Sequence, residues 1–305
     1  LNARKNNFKV GGFKDLIPNA DLVLNLTPDK NHTQVVSSVV PLMKKSATLS
    51  YSHGFKSGGY NDQIGTQLNP ITPLAARPVD PETADSFEIG LKGRSSDGRW
   101  YVAANYFSVT YEDAQRTLNA IFPTGQETLF FNAAELEADG LELEFSVMAT
   151  DAMIFRGSYA SLDSTFNRFE ADTNFDGVID VDLSGNPVQR APENQFMLEA
   201  LYQSPGLSNG GSLDWNLRVS YEDDQVASYS AAGSEYDTLL KAKSLVDMNI
   251  TYTDPQDRYF VSLIGRNLGD KRYVQGSLSV ATLWVMAAYG PPRYWGVQFG
   301  TRLGR

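Results

Sequence analysis

The sequence predicts a mainly β fold, in which antiparallel strands of a transmembrane β-barrel follow a short α/β segment. From residue 48 onward, about ten segments alternate apolar and polar residues with a period of two. Short turns and long polar stretches alternate between these segments, as they do at the two rims of a barrel. The helical spacing of apolar residues seen in 33–43 is lost after residue 48.

The N-terminal segment is predicted to form a β-turn-α-β unit. The apolar run DLVLNLT (21–27) is typical of a buried parallel strand. Pro28 and Asp29 suit the start of a helix, and the valines and Met43 of residues 33–43 recur at helical spacing. Residues 47–51 form the next predicted strand. Units of this kind are common in nucleotide-binding folds.

Charge divides the chain in the same place. Residues 1–50 hold seven Lys or Arg and three Asp, a net charge of +4. The whole chain carries −10, so the remaining residues carry −14. This asymmetry indicates two origins, and the acidic larger part argues against nucleic-acid binding.

Composition excludes several chemistries. The chain has no cysteine, which rules out disulfides, cysteine-ligated zinc and a thiol nucleophile. We expect no signal peptide in the opening residues and no transmembrane helix, because no apolar run is long enough. The two histidines, His32 and His53, complete no catalytic motif. The sequence therefore predicts that the protein is not an enzyme.

The segment LELEFSV (141–147) shows the alternation most clearly. Its apolar residues share one face, and Glu142 and Glu144 share the other. The apolar face would be the core of a soluble sandwich but would face lipid in a barrel, with the carboxylates in a polar lumen. The turns favour the barrel: short ones are predicted at 95–98, 150–151 and 254–257, and long polar stretches at 113–130, 165–194, 223–243 and 269–292.

The stretch DTNFDGVID (172–180) has the spacing of a calcium-binding loop. Candidate ligands fall at loop positions 1, 3, 5 and 9, with a glycine at position 6; these ligands are Asp172, Asn174, Asp176 and Asp180. Position 12, where such loops carry a bidentate Glu, is Leu183, and Asp182 is the nearest substitute. The alternative is an acidic external loop with Asx turns.

Residues 48–303 resemble the TonB-dependent outer-membrane receptors. The resemblance rests on SYSHGFKSGGYN (50–61), VDPETADSFEIGLK (79–92), ADGLELE (138–144), IGRNLGDKRY (264–273) and PRYWGVQFGTRL (292–303). It implies the C-terminal part, about ten strands, of a plugged 22-stranded barrel in the outer membrane of a Gram-negative bacterium. It also implies dependence on the TonB–ExbB–ExbD system and the barrel-assembly machinery, contact with outer-membrane lipid, and uptake of a small-molecule ligand. A ferric siderophore is the favoured ligand and an oligosaccharide the next.

Residues 7–55 resemble ketol-acid reductoisomerase. The matching motifs are FKVG (8–11), LIPNADLVLNLTPDK (16–30), PLMK (41–44) and YSHGF (51–55). In that family the turn Asp29, Lys30 and Asn31 would lie beside NADPH, and His53 would match the active-site histidine. The Gly-rich phosphate loop and the metal-binding domain of that family are absent from the sequence, so we expect a vestigial turn, no bound cofactor and a partnerless, inactive His53.

The two resemblances together predict a chimera. Its parts are a reductoisomerase-like α/β fragment at 1–47 and a receptor-like barrel part at 48–305, with a join between Lys45 and Lys56. The motif YSHGF satisfies both families, and a strand of the first part could continue as a barrel strand. We expect no transport by this chain alone. The alternatives are an inactive NADP-dependent reductoisomerase fragment and a soluble β-sandwich binding protein.

Overall fold

The computed structural model describes residues 22–25, 46–60, 78–122, 125–173, 176–229, 238–280 and 284–301. These ranges contain β-strands and no helix. The strands are β1 Leu22–Asn25, β2 Ser46–Lys56, β3 Gly59–Tyr60, β4 Pro78–Val79, β5 Glu82–Arg94, β6 Trp100–Phe122, β7 Gly125–Met148, β8 Met153–Ala171, β9 Val181–Asp182, β10 Asn194–Gln203, β11 Ser212–Glu222, β12 Gln225–Ser228, β13 Thr238–Leu240, β14 Lys243–Thr253, β15 Tyr259–Arg266, β16 Val274–Val280, β17 Trp284–Tyr289 and β18 Tyr294–Thr301.

One large sheet contains most of the chain, in the order β1-β2-β5-β6-β7-β8-β10-β11-β14-β15-β18. All neighbouring strands from β2 to β18 pair antiparallel, which gives ten consecutive antiparallel strands. This arrangement confirms the predicted mainly β fold with about ten antiparallel strands, whereas the Rossmann-like character of the N-terminal fragment stays a prediction. The strands form because β-branched and aromatic residues alternate with polar ones along each segment.

Strand β2 belongs to both predicted parts of the chain. It pairs in parallel with β1, from Leu22↔Ala47 to Asn25↔Ser50. The strands predicted at 21–27 and 47–51 are thus present and parallel, whereas the helix predicted at 33–43 lies outside the described residues. On its other side β2 pairs antiparallel with β5 along its whole length. The predicted boundary between residues 47 and 48 therefore falls inside one continuous barrel strand.

The two faces of the sheet differ in polarity. Paired residues share a face, so the ladder places Leu49, Ile89, Tyr106 and Leu141 in one apolar row. Neighbouring rows on the opposite face carry polar residues such as Glu142. Leu141 and Leu143 remain 39% and 37% exposed, so the apolar face is not a packed core. We call it the outward face, because exposed apolar rows over polar interior rows are the pattern of a membrane barrel.

Short and long connections lie at opposite rims. The predicted short turns join β5 to β6, β7 to β8 and β14 to β15, and residues 204–211 form another short connection between β10 and β11. At the turn 95–98, Gly98 adopts a φ of 74° and its N–H donates to the Ser95 carbonyl at 3.0 Å. We call the opposite end of the sheet the long-loop rim.

The polar stretches at the long-loop rim are largely β structure. The pairs β12–β13 and β16–β17 form separate hairpins inside two of these stretches. The prediction of a loop at 113–130 is wrong, because β6 continues to Phe122 and β7 begins at Gly125. The register shifts near Ala114, beside Asp113 with a φ of 52°. Such a bulge bends a hairpin away from its sheet without ending it, which polarity alone does not reveal.

We call the part of the ten-strand sheet between its two rims the wall. The main apolar core lies at the long-loop rim and not in the wall. Phe166 and Phe169 are fully buried and pack edge to face, with ring centroids 4.9 Å apart. Around them is the rim cluster, the buried residues Ala114, Ala133, Ala134, Leu136, Phe166, Phe169, Ala171 and Val181. Strands β6, β7, β8 and β9 all contribute, so the cluster fastens the long connections onto one another.

Candidate functional site: the inner wall and the long-loop rim

The inner face of the sheet carries an open cavity of about 450 Å³. Its lining includes Glu142, Glu144, Gln195, Ser220 and Glu222. They share this face because the ladder pairs Glu142 with Ala160, and Gln195 with both Ala160 and Glu222. This is the placement expected for the two glutamates from the alternation of residues 141–147.

Charges of opposite sign follow one another across the inner face. Register aligns Arg156, Glu199, Arg218 and Asp247 on four consecutive strands. An Arg218 Nη2 lies 3.4 Å from Glu199 Oε1, which also accepts a hydrogen bond from Asn216 Nδ2 at 2.6 Å. The row therefore alternates in sign, and Arg218 and Glu199 form an ion pair within it. It was not predicted, because it exists only through strand register.

Lys243 closes one end of the cavity. Its Nζ lies 2.7 Å from Glu222 Oε1 and 5.7 Å from the centre of the Tyr273 ring. Gln225 Nε2 donates to the same Glu222 oxygen at 2.5 Å. These contacts join the end of the inner face to the long-loop rim.

On the outward face, tyrosines form a band near the long-loop rim. The Tyr106 hydroxyl donates to Asp139 at 3.4 Å, and the Tyr159 hydroxyl to Asn194 at 2.7 Å. Tyr51 and Tyr221 make the same type of bond to the carboxylates Asp85 and Asp223. An apolar ring with a polar tip is typical of a membrane–water interface, and aromatic girdles flank the apolar band of outer-membrane barrels.

His53 lies in this band and not in a catalytic pocket. Its Nδ1 is 2.9 Å from Asp85 Oδ1, and both side chains are about half exposed on the outward face. The expectation that His53 has no partner is therefore wrong: the antiparallel register of β2 and β5 places Asp85 directly opposite. The other residues matched to the reductoisomerase site, Asp29, Lys30 and Asn31, lie outside the described residues.

In the proposed calcium loop, the carboxylates are engaged by neighbouring groups. Asp172 accepts the backbone N–H groups of Asp176 at 3.2 Å and Gly177 at 2.7 Å. Asp180 Oδ2 accepts the N–H and hydroxyl of Thr173 at 2.9 and 3.0 Å. Asn174 lies outside the described residues, and among those described no three acidic or histidine side chains are arranged to hold a metal. Calcium binding stays a prediction.

Leu183, at position 12 of the loop, and Asp182, the nearest carboxylate, both contact other groups of the protein. Leu183 packs against the rim cluster. Asp182 accepts hydrogen bonds from the Ser184 hydroxyl and backbone N–H, and these bonds lower the pKa of its carboxyl. This half of the loop is thus held by the apolar core below it, a contact that spacing rules cannot show.

Asn267 fastens the longest connection at the rim. Its side-chain Nδ2 donates to the carbonyls of Lys271 at 2.9 Å and Pro291 at 3.1 Å, and its Oδ1 accepts the Lys271 N–H at 2.9 Å. The residue is buried and has a φ of 48°, a conformation that asparagine tolerates better than most residues. This geometry gives a structural role to the asparagine in the motif at 264–273.

A second polar clamp holds the connection between β2 and β5, and no local sequence pattern predicts it. The buried Gln115 donates its Nε2 to the carbonyls of Ser57 at 3.1 Å and Asp80 at 2.9 Å. Asn132 also binds Asp80, through both its carbonyl and its N–H. Residues far apart in the chain thus hold the two described ends of this connection.

Within the described ranges, no helix has the length and apolar character needed to cross a membrane. The family model of the TonB-dependent receptor-like β-barrel matches residues 2–268. The chain therefore belongs to the TonB-dependent receptor-like β-barrel family. The matched residues extend across the predicted boundary at 47–48, and the two-part division stays a prediction.

Similar solved structures are siderophore receptors, and they share the fold. The ferric yersiniabactin uptake receptor FyuA of Yersinia pestis is 19% identical with a TM-score of 0.61, over 82% of this chain and 33% of its own. The siderophore receptor PiuA of Acinetobacter baumannii is 22% identical with a TM-score of 0.62, over 84% and 33%. The chain thus spans about a third of each receptor.

Curated relatives include reductoisomerases. The NADP-dependent ketol-acid reductoisomerase of Cytophaga hutchinsonii is 73% identical over 93 residues, 30% of this chain and 18% of the enzyme. That of Pseudoalteromonas translucida is 64% identical over the same length. The chain spans under a fifth of these enzymes. Nevertheless the matches contradict the prediction that the chain is not an enzyme, because these relatives are named enzymes. They also confirm the mixed resemblance of the sequence.

Proposed function

We propose that the described sheet is part of the wall of an outer-membrane receptor that takes up a scarce nutrient. The observation that carries this proposal is the consistent polarity of ten antiparallel strands, with apolar rows outward and polar and charged rows inward. The tyrosine band supports it, since its hydroxyls bond to polar groups at one edge of the apolar surface. A soluble β-sandwich would instead bury the row that holds Leu141 and Leu143.

Membrane insertion can be tested by accessibility. The chain has no cysteine, so single cysteines can be placed without background. We expect Leu143→Cys in lipid-reconstituted protein to react with a lipid-soluble maleimide and to resist a charged one. The neighbouring Glu144→Cys, on the inner face, should react with the charged reagent. Equal labelling of both sites by the charged reagent would contradict the proposal.

The proposed ligand is a ferric siderophore, and an oligosaccharide is the second choice. The similar structures that are named as siderophore receptors support the first choice. The long-loop rim would provide the outer contacts and the polar inner wall the next ones. We expect a ferric siderophore to quench the fluorescence of Trp284, on β17 at this rim, and a neutral oligosaccharide to leave it unchanged. Trp284→Phe is the control, and quenching that persists in this variant would place the ligand elsewhere.

The same proposal includes the partners of the family. Uptake would require TonB–ExbB–ExbD, and folding would require the barrel-assembly machinery and outer-membrane lipid. An open sheet encloses no pore, so we propose that this wall does not conduct ligand by itself. Ion-conductance measurements on reconstituted protein test this point, and stable, well-defined channels from single chains would overturn it.

The reductoisomerase matches support a second candidate, a contact of the N-terminal part with NADPH. The 73% identity over 93 residues carries this candidate. Titration of NADPH fluorescence would detect such binding, and Lys30→Ala would be expected to weaken it if the family's turn is retained. Fluorescence that is unaffected by the protein would exclude the candidate.

A further inference from the structure

A second pocket, of about 230 Å³, lies on the inner face near the rim that carries the short turns, which we call the short-turn rim. Three arginines line it: Arg94 at the end of β5, Arg99 just before β6, and Arg156 on β8. None of the described residues that line this pocket is acidic. The pocket therefore concentrates positive charge at one end of the inner face, whereas the larger cavity is lined by Glu142, Glu144 and Glu222.

Strand register places two of these arginines in one row across the sheet. Arg94 pairs with Tyr101, Tyr101 pairs with Ser146, and Ser146 pairs with Arg156. Paired residues share a face, so all four side chains lie on the same side of the sheet. Three strand spacings separate the two arginines, a backbone distance of about 14 Å. Because arginine side chains are long, both guanidinium groups can reach a small group held over Ser146.

Two of the three arginines have no carboxylate partner among the residues that the structure describes. The guanidinium carbon of Arg94 lies 5.6 Å from the centre of the Tyr101 ring, a cation–π contact. The side chain of Arg156 forms no hydrogen bond or ion pair with any described residue. Only Arg99 is paired, since its Nη2 lies 2.5 Å from Oδ1 of the exposed Asp151. Two guanidinium groups thus keep their hydrogen-bond donors available to a ligand.

The neighbouring carboxylates are directed to other groups. Glu199 lies opposite Arg156 in register, but its Oε1 lies 3.4 Å from Arg218 and also accepts a bond from an asparagine amide. Glu144, on the next row of β7, lines the larger cavity. Asp97 accepts hydrogen bonds from groups of its own turn. The described part of the wall therefore leaves the row of Arg94 and Arg156 with an excess of positive charge.

We propose that this pocket binds an oxyanion, the phosphate or carboxylate group of a small solute, between the guanidinium groups of Arg94 and Arg156. A guanidinium group presents its N–H donors in a planar fork that matches the oxygens of both kinds of anion. Ser146, between the two arginines in the row, adds a hydroxyl donor. In the proposed wall, this site lies at the end of the inner face away from the long loops.

The test titrates the folded 305-residue chain with inorganic phosphate and, separately, with citrate, by calorimetry at low ionic strength. We expect saturable binding of at least one of these anions. Arg94→Gln and Arg156→Gln should each weaken it about tenfold, because each variant removes one charge-assisted contact. The control is Arg168→Gln at the long-loop rim, where the arginine lies 2.6 Å from Glu135, and this variant should bind as the unaltered chain does.

A second variant keeps every arginine in place. Ser146→Glu puts a carboxylate between Arg94 and Arg156 in the same row. We expect the new side chain to occupy the pocket, so that neither phosphate nor citrate binds, while the unfolding midpoint stays equal or rises. Unchanged anion binding in Ser146→Glu would contradict the site.

The outcomes separate this inference from the proposed function. Binding of phosphate alone indicates a compact tetrahedral anion and binding of citrate alone a carboxylate, and either result supports the site. Absence of saturable binding, or equal affinity in Arg156→Gln, overturns it. If Leu143→Cys is protected from the charged maleimide and no anion binds, only the site is overturned. If that cysteine is open to the charged reagent and anion binding still depends on Arg156, only the membrane wall is overturned.

Discussion

In the wall, Leu143 and Leu263 lie on an exposed outward face, whereas at the long-loop rim Phe166 and Phe169 are fully buried. Both regions are β structure and both use apolar residues, but they use them in opposite ways. The wall is held by hydrogen-bond ladders and depends on an apolar solvent for its outer surface. The rim holds its strands around a core that water cannot enter, as a soluble domain does.

One continuous sheet therefore has a part with an exposed apolar face and a part that surrounds a buried core. Strands β6, β7 and β8 continue from the wall into the rim cluster without a break. Leu143, in the wall, is exposed, whereas Ala114, at the bulge, is buried in the rim cluster. The same mutation type should therefore have different effects in the two regions, and the following predictions test that.

The largest effect is expected from Phe166→Ala in the rim cluster. Removing a buried phenyl group leaves a cavity and costs about 3–5 kcal/mol of unfolding free energy. We expect hydrogen exchange to accelerate in β9 and the rim ends of β7 and β8 while the wall stays protected. Phe155→Ala is the matched control, because Phe155 lies on the same strand but faces outward, where no cavity forms. Equal losses at both sites would remove the distinction between rim and wall.

A somewhat smaller effect is expected from Leu143→Arg in the wall. A cation on the lipid face costs about 2–4 kcal/mol near the bilayer midplane. Equilibrium unfolding in lipid vesicles should show this loss, whereas Glu144→Arg, on the inner face, should change the free energy far less. A larger loss for Glu144→Arg would mean that the outward and inner faces are wrongly assigned.

The clamp at Asn267 should contribute less than either apolar site. Asn267→Ala removes three hydrogen bonds to backbone groups of Lys271 and Pro291, at a cost of about 1–3 kcal/mol. We expect faster proteolysis within residues 268–293 and an unchanged wall. Asp270→Ala is the control, since Asp270 has a similar φ of 50° but accepts one backbone bond, from Arg293. Cleavage at the same rate in both variants would speak against the clamp.

The smallest effect concerns pH at the short-turn rim. Burial acts to raise the pKa of Asp254, but hydrogen bonds from the N–H groups of Tyr259, Arg258 and Gln256 and from the Arg258 guanidinium outweigh it and lower that pKa below the ordinary value of 3.8. The stabilisation is thus present above pH 3.8 and lost as pH falls through the lower pKa of the folded protein. Amide exchange in the β14–β15 turn should rise in that acidic window. In Asp254→Asn the exchange should not depend on pH there, and a dependence that persists would assign the transition to another group.

The sequence alone predicted the main strands of the wall and the polarity of their faces. The alternation in residues 141–147 correctly gave an outward apolar row and inner carboxylates, and the turn residues near 95–98 and 254–257 marked the short connections. Both signals are local, since strand period and turn conformation depend on neighbouring residues. The two resemblances also came from local motifs, and the family match and the reductoisomerase relatives confirm them.

The contacts between residues on different strands are known only from the tertiary structure. The pairing of His53 with Asp85, the row of charges through Glu199, and the contact of Leu183 with the rim cluster all join residues on different strands. The loop predicted at 113–130 became strand because β6 and β7 continue to pair beyond a bulge. Such contacts depend on register, and register is set by the free energy of the whole ladder and its solvent, which no single segment of the sequence encodes.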